Sequence, residues 1–391
     1  MNKLASLFIL GILLLAAGST AGAAPSPSNW PSLDADAAHS NNNTAESTLT
    51  ARNVLKLKVK WTAPETNLSY PIVAGGGVYA PVLEGNKTHV HVLATSTGRT
   101  LGTYTKDALG GILMRSGVLY VAGHTLQAID PTTGESVAKV APHPSTTGSV
   151  FLNPVADKKF ILVGFVLPRG PVSLYTVDPN ANQLVHRLPS ASGLGALTTG
   201  RVLTETLSGS AFYDEQSGKM LWSRSAPKSN WFAGDTLAYT VSSVNGKNTT
   251  LYAYDGTGRS VWSRVVAQPL AVQDWPHAVS PSAVYVETLR PHVGVEALDP
   301  LLGTVLWARA IPDVQHIVLA NGVLYVLTYG LGQQVRVVAL HADTGVPIGA
   351  IVLSSGFFAF PAANGLMVAN GMVFLRAVTT SGAQVLVALG L

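Results

Sequence analysis

His89 and His91 lie two residues apart in THVHVLA, so on a strand both imidazoles project from one face, as a pair of nitrogen ligands to a metal would. No third ligand is near them in sequence, and the plainer reading is an exposed polar strand face. A second set is spread along the chain, each member just ahead of a unit's first strand: Tyr70, Asn153, Trp231, Trp275 with His277, His316 and Phe360. Aromatics together with two imidazoles could form a ligand-binding mouth. The alternative is that Trp231 and Trp275 pack over sheet edges and the histidines hydrogen-bond to backbone. Carboxylates able to act as a base or hold a hard cation are few on such segments: Asp274, Asp313 and Glu205. Nucleophilic catalysis has no G-x-S-x-G elbow to rest on, and phosphate or dinucleotide binding has no Gly-rich strand-to-helix turn.

The elements that would position these residues repeat. GGVYAPV, SGVLYVA, KFILVGF, GRVLTET, DTLAYTV, SAVYVET, NGVLYVL and NGMVFLR each set a turn residue or charge before a short β-branched and aromatic run. Most are followed by a second run ending in a turn, marked by Gly98, Gly134, Asn182, Gly218, Gly258, Gly303 and Gly345, at intervals of 36, 48, 36, 40, 45 and 42 residues. That is the length of one four-stranded propeller blade. Asp130, Asp178, Asp214 and Asp299 open such turns four residues ahead of the Gly or Asn, and Asp255 opens one a residue shorter. Their carboxylates can accept backbone amides, and Gly supplies the positive φ. Trp222, Trp262 and Trp307 each follow the Gly by four residues, where an aromatic can pack between neighbouring sheets.

The pattern predicts an all-β fold: an eight-bladed propeller, with seven blades as the alternative. The last unit stops at Leu391 short of its final strand, and the alternating segment 53–62, ending near Trp61, is expected to supply that strand and close the ring.

Composition narrows the function classes. Charged residues are 12% of the chain and hydrophobic ones 47%, which excludes disorder. A formal charge of +4 with no basic run argues against nucleic acid. With no Cys there is no disulfide, thiolate metal site or cysteine nucleophile. Lys3, the apolar stretch from Leu4 to Ala17 and Ala21-Gly22-Ala23 read as a cleaved signal peptide over 1–23, followed by a Pro, Ser and Asn-rich lead over 24–51 and a propeller over 52–391. A secreted or periplasmic monomer without a membrane span or a lipid-anchoring Cys is expected. The sequons at Asn42, Asn67, Asn86 and Asn248 matter only in a host that glycosylates them.

The pattern A-x-D-x-x-x-G-x-x-x-W, as in Ala297 through Asp299 and Gly303 to Trp307, resembles the tryptophan-docking repeat of the pyrroloquinoline-quinone (PQQ) propeller superfamily. The lead NWPSLDADAAHSNNNTAESTLTARNVLKLKVKW looks like the opening segment of secreted PQQ-like repeat proteins. The resemblance implies either a quinoprotein alcohol or sugar dehydrogenase, using PQQ with Ca²⁺, or a non-catalytic propeller like the lipoprotein of the outer-membrane barrel assembly machinery. Five of the 21 acidic residues are committed to turns, and no acid, amide and arginine constellation converges, so the expectation is a non-enzymatic binding or assembly platform of the cell envelope. No cofactor or metal is expected, and the partner would be an envelope or extracellular protein. A PQQ-dependent oxidoreductase and a carbohydrate- or peptide-binding propeller are the alternatives.

Overall fold

The computed structural model describes residues 28–64, 70–84, 87–141, 150–167, 172–189, 195–198, 200–206, 209–224, 229–244, 248–267, 276–289, 293–329, 334–354, 356–359 and 365–391. They form eight antiparallel sheets in a ring, so eight blades replace the seven-bladed alternative. Seven blades are consecutive: 72–105, 111–140, 150–189, 195–224, 229–267, 277–310 and 314–352. In each of them the strands are named a to d from the axis outward. Their a–b and c–d turns lie at one end of the ring; the b–c turns and the connections between blades lie at the other.

The eighth blade joins both regions of the chain. Strands Phe357–Ala359 and Leu366–Ala369 both pair with Met372–Thr379, which pairs with Gln384–Gly390. The outermost strand is Lys58–Pro64, antiparallel to Gln384–Gly390 with Trp61 opposite Ala388. Among the described residues no helix is long and apolar enough to cross a membrane.

One expectation needs correction. The conspicuous apolar runs are the second strands, such as Gly77–Glu84 and Val323–Tyr329, not the first. The a strands ahead of them are mostly short, such as Ile72–Ala74 and His277–Val279. Short strands give too few alternations to stand out, whereas the b strand is sandwiched between neighbouring sheets and reads as a continuous apolar run.

The outer half of the ring follows the repeat. Asp299 Oδ1 accepts the amides of Leu301 and Leu302 at 2.8 and 2.9 Å, and Gly303, at φ +67°, donates its amide to the Asp299 carbonyl at 2.9 Å. The tight turn leaves bare backbone at the glycine, and the ring of the preceding blade covers it. A Cβ built on Gly98, Gly258, Gly303 or Gly345 would fall 2.3 to 2.6 Å from Trp61, Trp222, Trp262 or Trp307. The indole N–H of Trp61, Trp262 and Trp307 then donates to a carbonyl of the same turn, at 2.8 to 2.9 Å. Each contact therefore ties a d strand to the next blade.

Candidate functional site

The axis of a propeller is bounded by its a strands, whose inward edges carry unpaired backbone groups. Here residues 28–43 lie across those edges at the a–b turn end. Trp30 exchanges two hydrogen bonds with Val73 of blade 1, and the Pro31 carbonyl accepts the amide of Met114 of blade 2 at 2.8 Å. The carbonyls of Ala37, Ala38, Ser40 and Asn41 accept the amides of Leu197, Ala233, Val279 and Leu319, from blades 4 to 7, at 2.6 to 2.9 Å. Asn42–Asn43 pairs parallel to Leu319–Ala320, the Asn43 side chain donates to the Val368 carbonyl of blade 8, and Ala37 belongs to the apolar cluster that joins blades 3 and 4. One short segment thus bonds to seven of the eight blades and shares a core cluster with the remaining one.

Glu46, Asp36 and the Asp34–His39 pair hold the segment in its coil. Glu46, 3% exposed, accepts the Ser28 hydroxyl and the amides of Thr48, Leu49 and Gly371. Deeper in, His39 Nδ1 faces Asp34 Oδ2 at 3.0 Å while His39 Nε2 faces the Gly195 carbonyl at 3.1 Å. Both partners are acceptors, so both ring nitrogens can donate only in the imidazolium. Burial alone would lower the His39 pKa, but the hydrogen bond and charge of Asp34 outweigh it and raise it. Burial likewise opposes ionisation of Asp34; the hydrogen bond and charge of His39, with His277 and His316 adding, hold its pKa below the ordinary value. The result is a buried ion pair on the axis.

Asp34 also lines a cavity of about 10 Å³ with Tyr70, His316, Trp30, Leu33 and Met367. That volume suits about one water molecule. Tyr70 carries Arg376 over its ring at 5.7 Å. His277 stacks on Phe232 with ring centroids 3.9 Å apart and donates Nε2–H to the His39 carbonyl at 2.8 Å.

The expected mouth is therefore only partly assembled. Tyr70, His277 and His316 converge on the axis, but against residues 28–43 rather than around an open funnel. Trp231 lies in the core between blades 4 and 5, with ring centroids 5.3 Å from Phe212 and 5.8 Å from Tyr254. Asn153 adopts φ +47° in a bulged a strand and donates its amide to Gly110; Asp313 is exposed at φ +55° and Glu205 is buried. Asp274, Trp275 and Phe360 lie outside the described residues.

His89 and His91 do share a face, and Glu84 reaches them from the neighbouring strand at 3.9 and 3.2 Å. Among the described residues no group of three His, Cys, Asp or Glu side chains is placed to hold a metal. Asn42, the first sequon, uses its side-chain amide on the Val279 carbonyl, and Asn248 opens the exposed end of a strand. Asn67 and Asn86 lie outside the described residues.

Sequence reasoning missed the lead's part in the axis, because its bonds run through backbone carbonyls that no residue type advertises. It also missed two docking rings. Tyr104 covers Gly134 from six residues past its own turn glycine, and His186 covers Gly218 from four residues past Asn182. The turn-to-ring spacing was a signal for His186, had imidazole been admitted as a docking ring.

A bound quinone would need a planar slot, a carboxylate free to take a proton or a cation, and cations for its own carboxylates. The a–b turn end of the axis does not fit it: Asp34 is already paired with His39, and the cavity beside it is of single-water size.

Residues 122–313 match the family model described as "Outer membrane protein assembly factor BamB". No curated protein matches the chain in sequence. Among solved structures, quinohemoprotein alcohol dehydrogenase from Comamonas testosteroni is 14% identical with a TM-score of 0.63, over 94% of this chain and 81% of that one. A europium-containing methanol dehydrogenase is 13% identical with a TM-score of 0.63, over 93% and 98%. BamB from Moraxella catarrhalis is 17% identical with a TM-score of 0.57, over 86% and 98%. At these identities the likeness is one of fold. The chain is an eight-bladed β-propeller, and residues 122–313 of it match a PQQ-like repeat family.

Proposed function

We propose that this protein is a non-enzymatic binding platform of the cell envelope, a rigid ring that presents its loops and rim to a protein partner. The observation that carries the reading is the lead segment, which closes the a–b turn end of the axis with the chain's own backbone and a self-satisfied ion pair. A reactive group needs an accessible slot there, and a scaffold does not. The five turn aspartates point the same way: each accepts a backbone amide of its own turn, which leaves none of them for chemistry. The matched family's description, an outer membrane protein assembly factor, supports a setting in the envelope and a role in protein assembly.

The test pairs partner capture with turnover. Cross-linking in the native envelope is expected to give one stoichiometric protein partner, and the purified protein supplied with PQQ, Ca²⁺, a primary alcohol and a dye acceptor is expected to reduce no dye. Sustained, enzyme-dependent dye reduction would overturn the platform in favour of the oxidoreductase.

A further inference from the structure

Residues 28–43 differ from the other described segments of the axis in how they are held. Only Asn42–Asn43 belongs to a sheet; the rest is fastened to the a strands by separate hydrogen bonds, with Trp30, Ala35 and Ala37 buried against the blades. Four of its non-glycine residues, Asp34, Ala35, His39 and Asn41, have φ between +51° and +77°. Such conformations persist where the surroundings over-determine them. Here the surroundings are the a-strand amides and the Asp34–His39 pair, so losing a few contacts lets the strained residues relax and removes the reason for the others to stay. Docking of this kind is all-or-none.

The ring does not need the segment for closure. Its eighth blade is completed by Lys58–Pro64 against Gln384–Gly390, and residues 44–57 connect that strand to the axial segment. We propose that residues 28–43 form a latched plug, which leaves and re-enters the axis as one unit on a closed ring, with the Asp34–His39 pair as its catch.

The groups that face the catch come from several elements. Asp34 meets His39 on its own segment, His277 of blade 6 and His316 of blade 7. His39 meets Asp34 and Asp36 on its own segment and the Gly195 carbonyl of blade 4. Tyr70 of blade 1, under Arg376 of blade 8, closes the cavity beside Asp34. Raising the pH above the ordinary His39 value of 6.5 and through its elevated folded pKa removes the imidazolium that both acceptors require, so the catch is expected to weaken as pH rises.

Amide hydrogen exchange on the full chain tests this. In the native protein, residues 28–43 and the a-strand amides of Leu197, Ala233, Val279 and Leu319 are expected to exchange together, faster than the c strand Val335–His341. After correction for intrinsic rates, that shared opening is expected to rise between pH 6 and pH 9. In Asp34→Asn it is expected to rise about a hundredfold or more, with Val335–His341 unchanged relative to global unfolding. Exchange of residues 28–43 only at the global unfolding rate, at both pH values and in the variant, would overturn the plug. So would rapid exchange of residues 28–43 that leaves the four a-strand amides protected. The pH comparison needs no substitution and remains decisive if Asp34→Asn fails to fold.

Discussion

The rim and the axis of this ring solve the same problem, unpaired backbone at sheet edges, in opposite ways. At the rim the solution is repeated: a tight turn, closed by Asp in four of six copies, a glycine with positive φ, and a ring from the preceding blade over it, with Trp61, Tyr104, His186, Trp222, Trp262 and Trp307 as six versions of one contact. At the axis the solution occurs once, in a segment that meets successive blades mainly through backbone carbonyls and without a repeated motif. Repetition tolerates drift, since losing one docking ring leaves five. The axial solution concentrates strain and charge in a few residues, so its failure should be the more severe.

The largest expected effect is therefore Asp34→Ala. Removing one partner leaves His39 buried between a void and the Gly195 carbonyl, a loss of about 3–5 kcal/mol by chemical denaturation. A loss below about 1 kcal/mol, the level of a surface pair, would break the contrast between axis and rim.

Next comes Gly258→Ala. Its Cβ would sit 2.3 Å from the Trp222 ring at φ +80°, combining overpacking with backbone strain. A loss of about 2–4 kcal/mol is expected. Gly322→Ala is the control, at φ +72° with nothing within 4 Å of the Cβ, and should lose only about 1 kcal/mol. Equal losses at the two sites would mean that ring docking contributes nothing beyond the turn itself.

Asp299→Ala should be milder. It removes an acceptor from the amides of Leu301 and Leu302, but both residues are exposed and water can replace it. About 1 kcal/mol is expected, read as a fall in thermal midpoint.

The smallest effect is the pH dependence. His39 has a raised folded pKa, so its stabilisation is complete below its ordinary value of 6.5 and is lost as pH climbs through the folded one. Glu215 is pushed up to about 8 by burial, with the neighbouring Asp157 adding. A raised carboxyl weakens the fold progressively between its ordinary value of 4.5 and about 8, because the folded state must give up a proton it holds more tightly. Both groups slope the same way, so the thermal midpoint should fall from mildly acidic to alkaline pH, and less steeply in Glu215→Gln. A midpoint that rises over that window would reverse both assignments.

Much of the rim was legible in the sequence, because its physics depends on residue identity. Asp accepts amides, Gly or Asn takes positive φ, and Trp at a fixed spacing covers the glycine. The legibility ended where one role passed to another residue or spacing: Tyr104 sits two residues beyond the usual docking position, which Gly102 occupies, and His186 is not among the aromatics first sought. Closure of the ring could be expected from the alternation near Trp61, since a strand carries its period in its side chains. The axis could not be read in this way. Asp34, His39 and Asn41 belong to a stretch without periodicity, and its partners are largely main-chain groups from 43 to over three hundred residues away. Tyr70, His277 and His316 lie toward the axis, against residues 28–43, and these surroundings could not be anticipated, because the group they face comes from the lead. Trp231 failed for a simpler reason: one residue of register on a short a strand decides between the axis and the core between blades.

The central claim is that the a–b turn end of the axis is closed by the chain's own residues 28–43. Calorimetric titration of the purified protein with PQQ, with and without Ca²⁺, tests it most directly, with quenching of its seven Trp as a second signal. No saturable heat and no quenching in either condition is the predicted result. Saturable, Ca²⁺-dependent binding at one site per chain would contradict it.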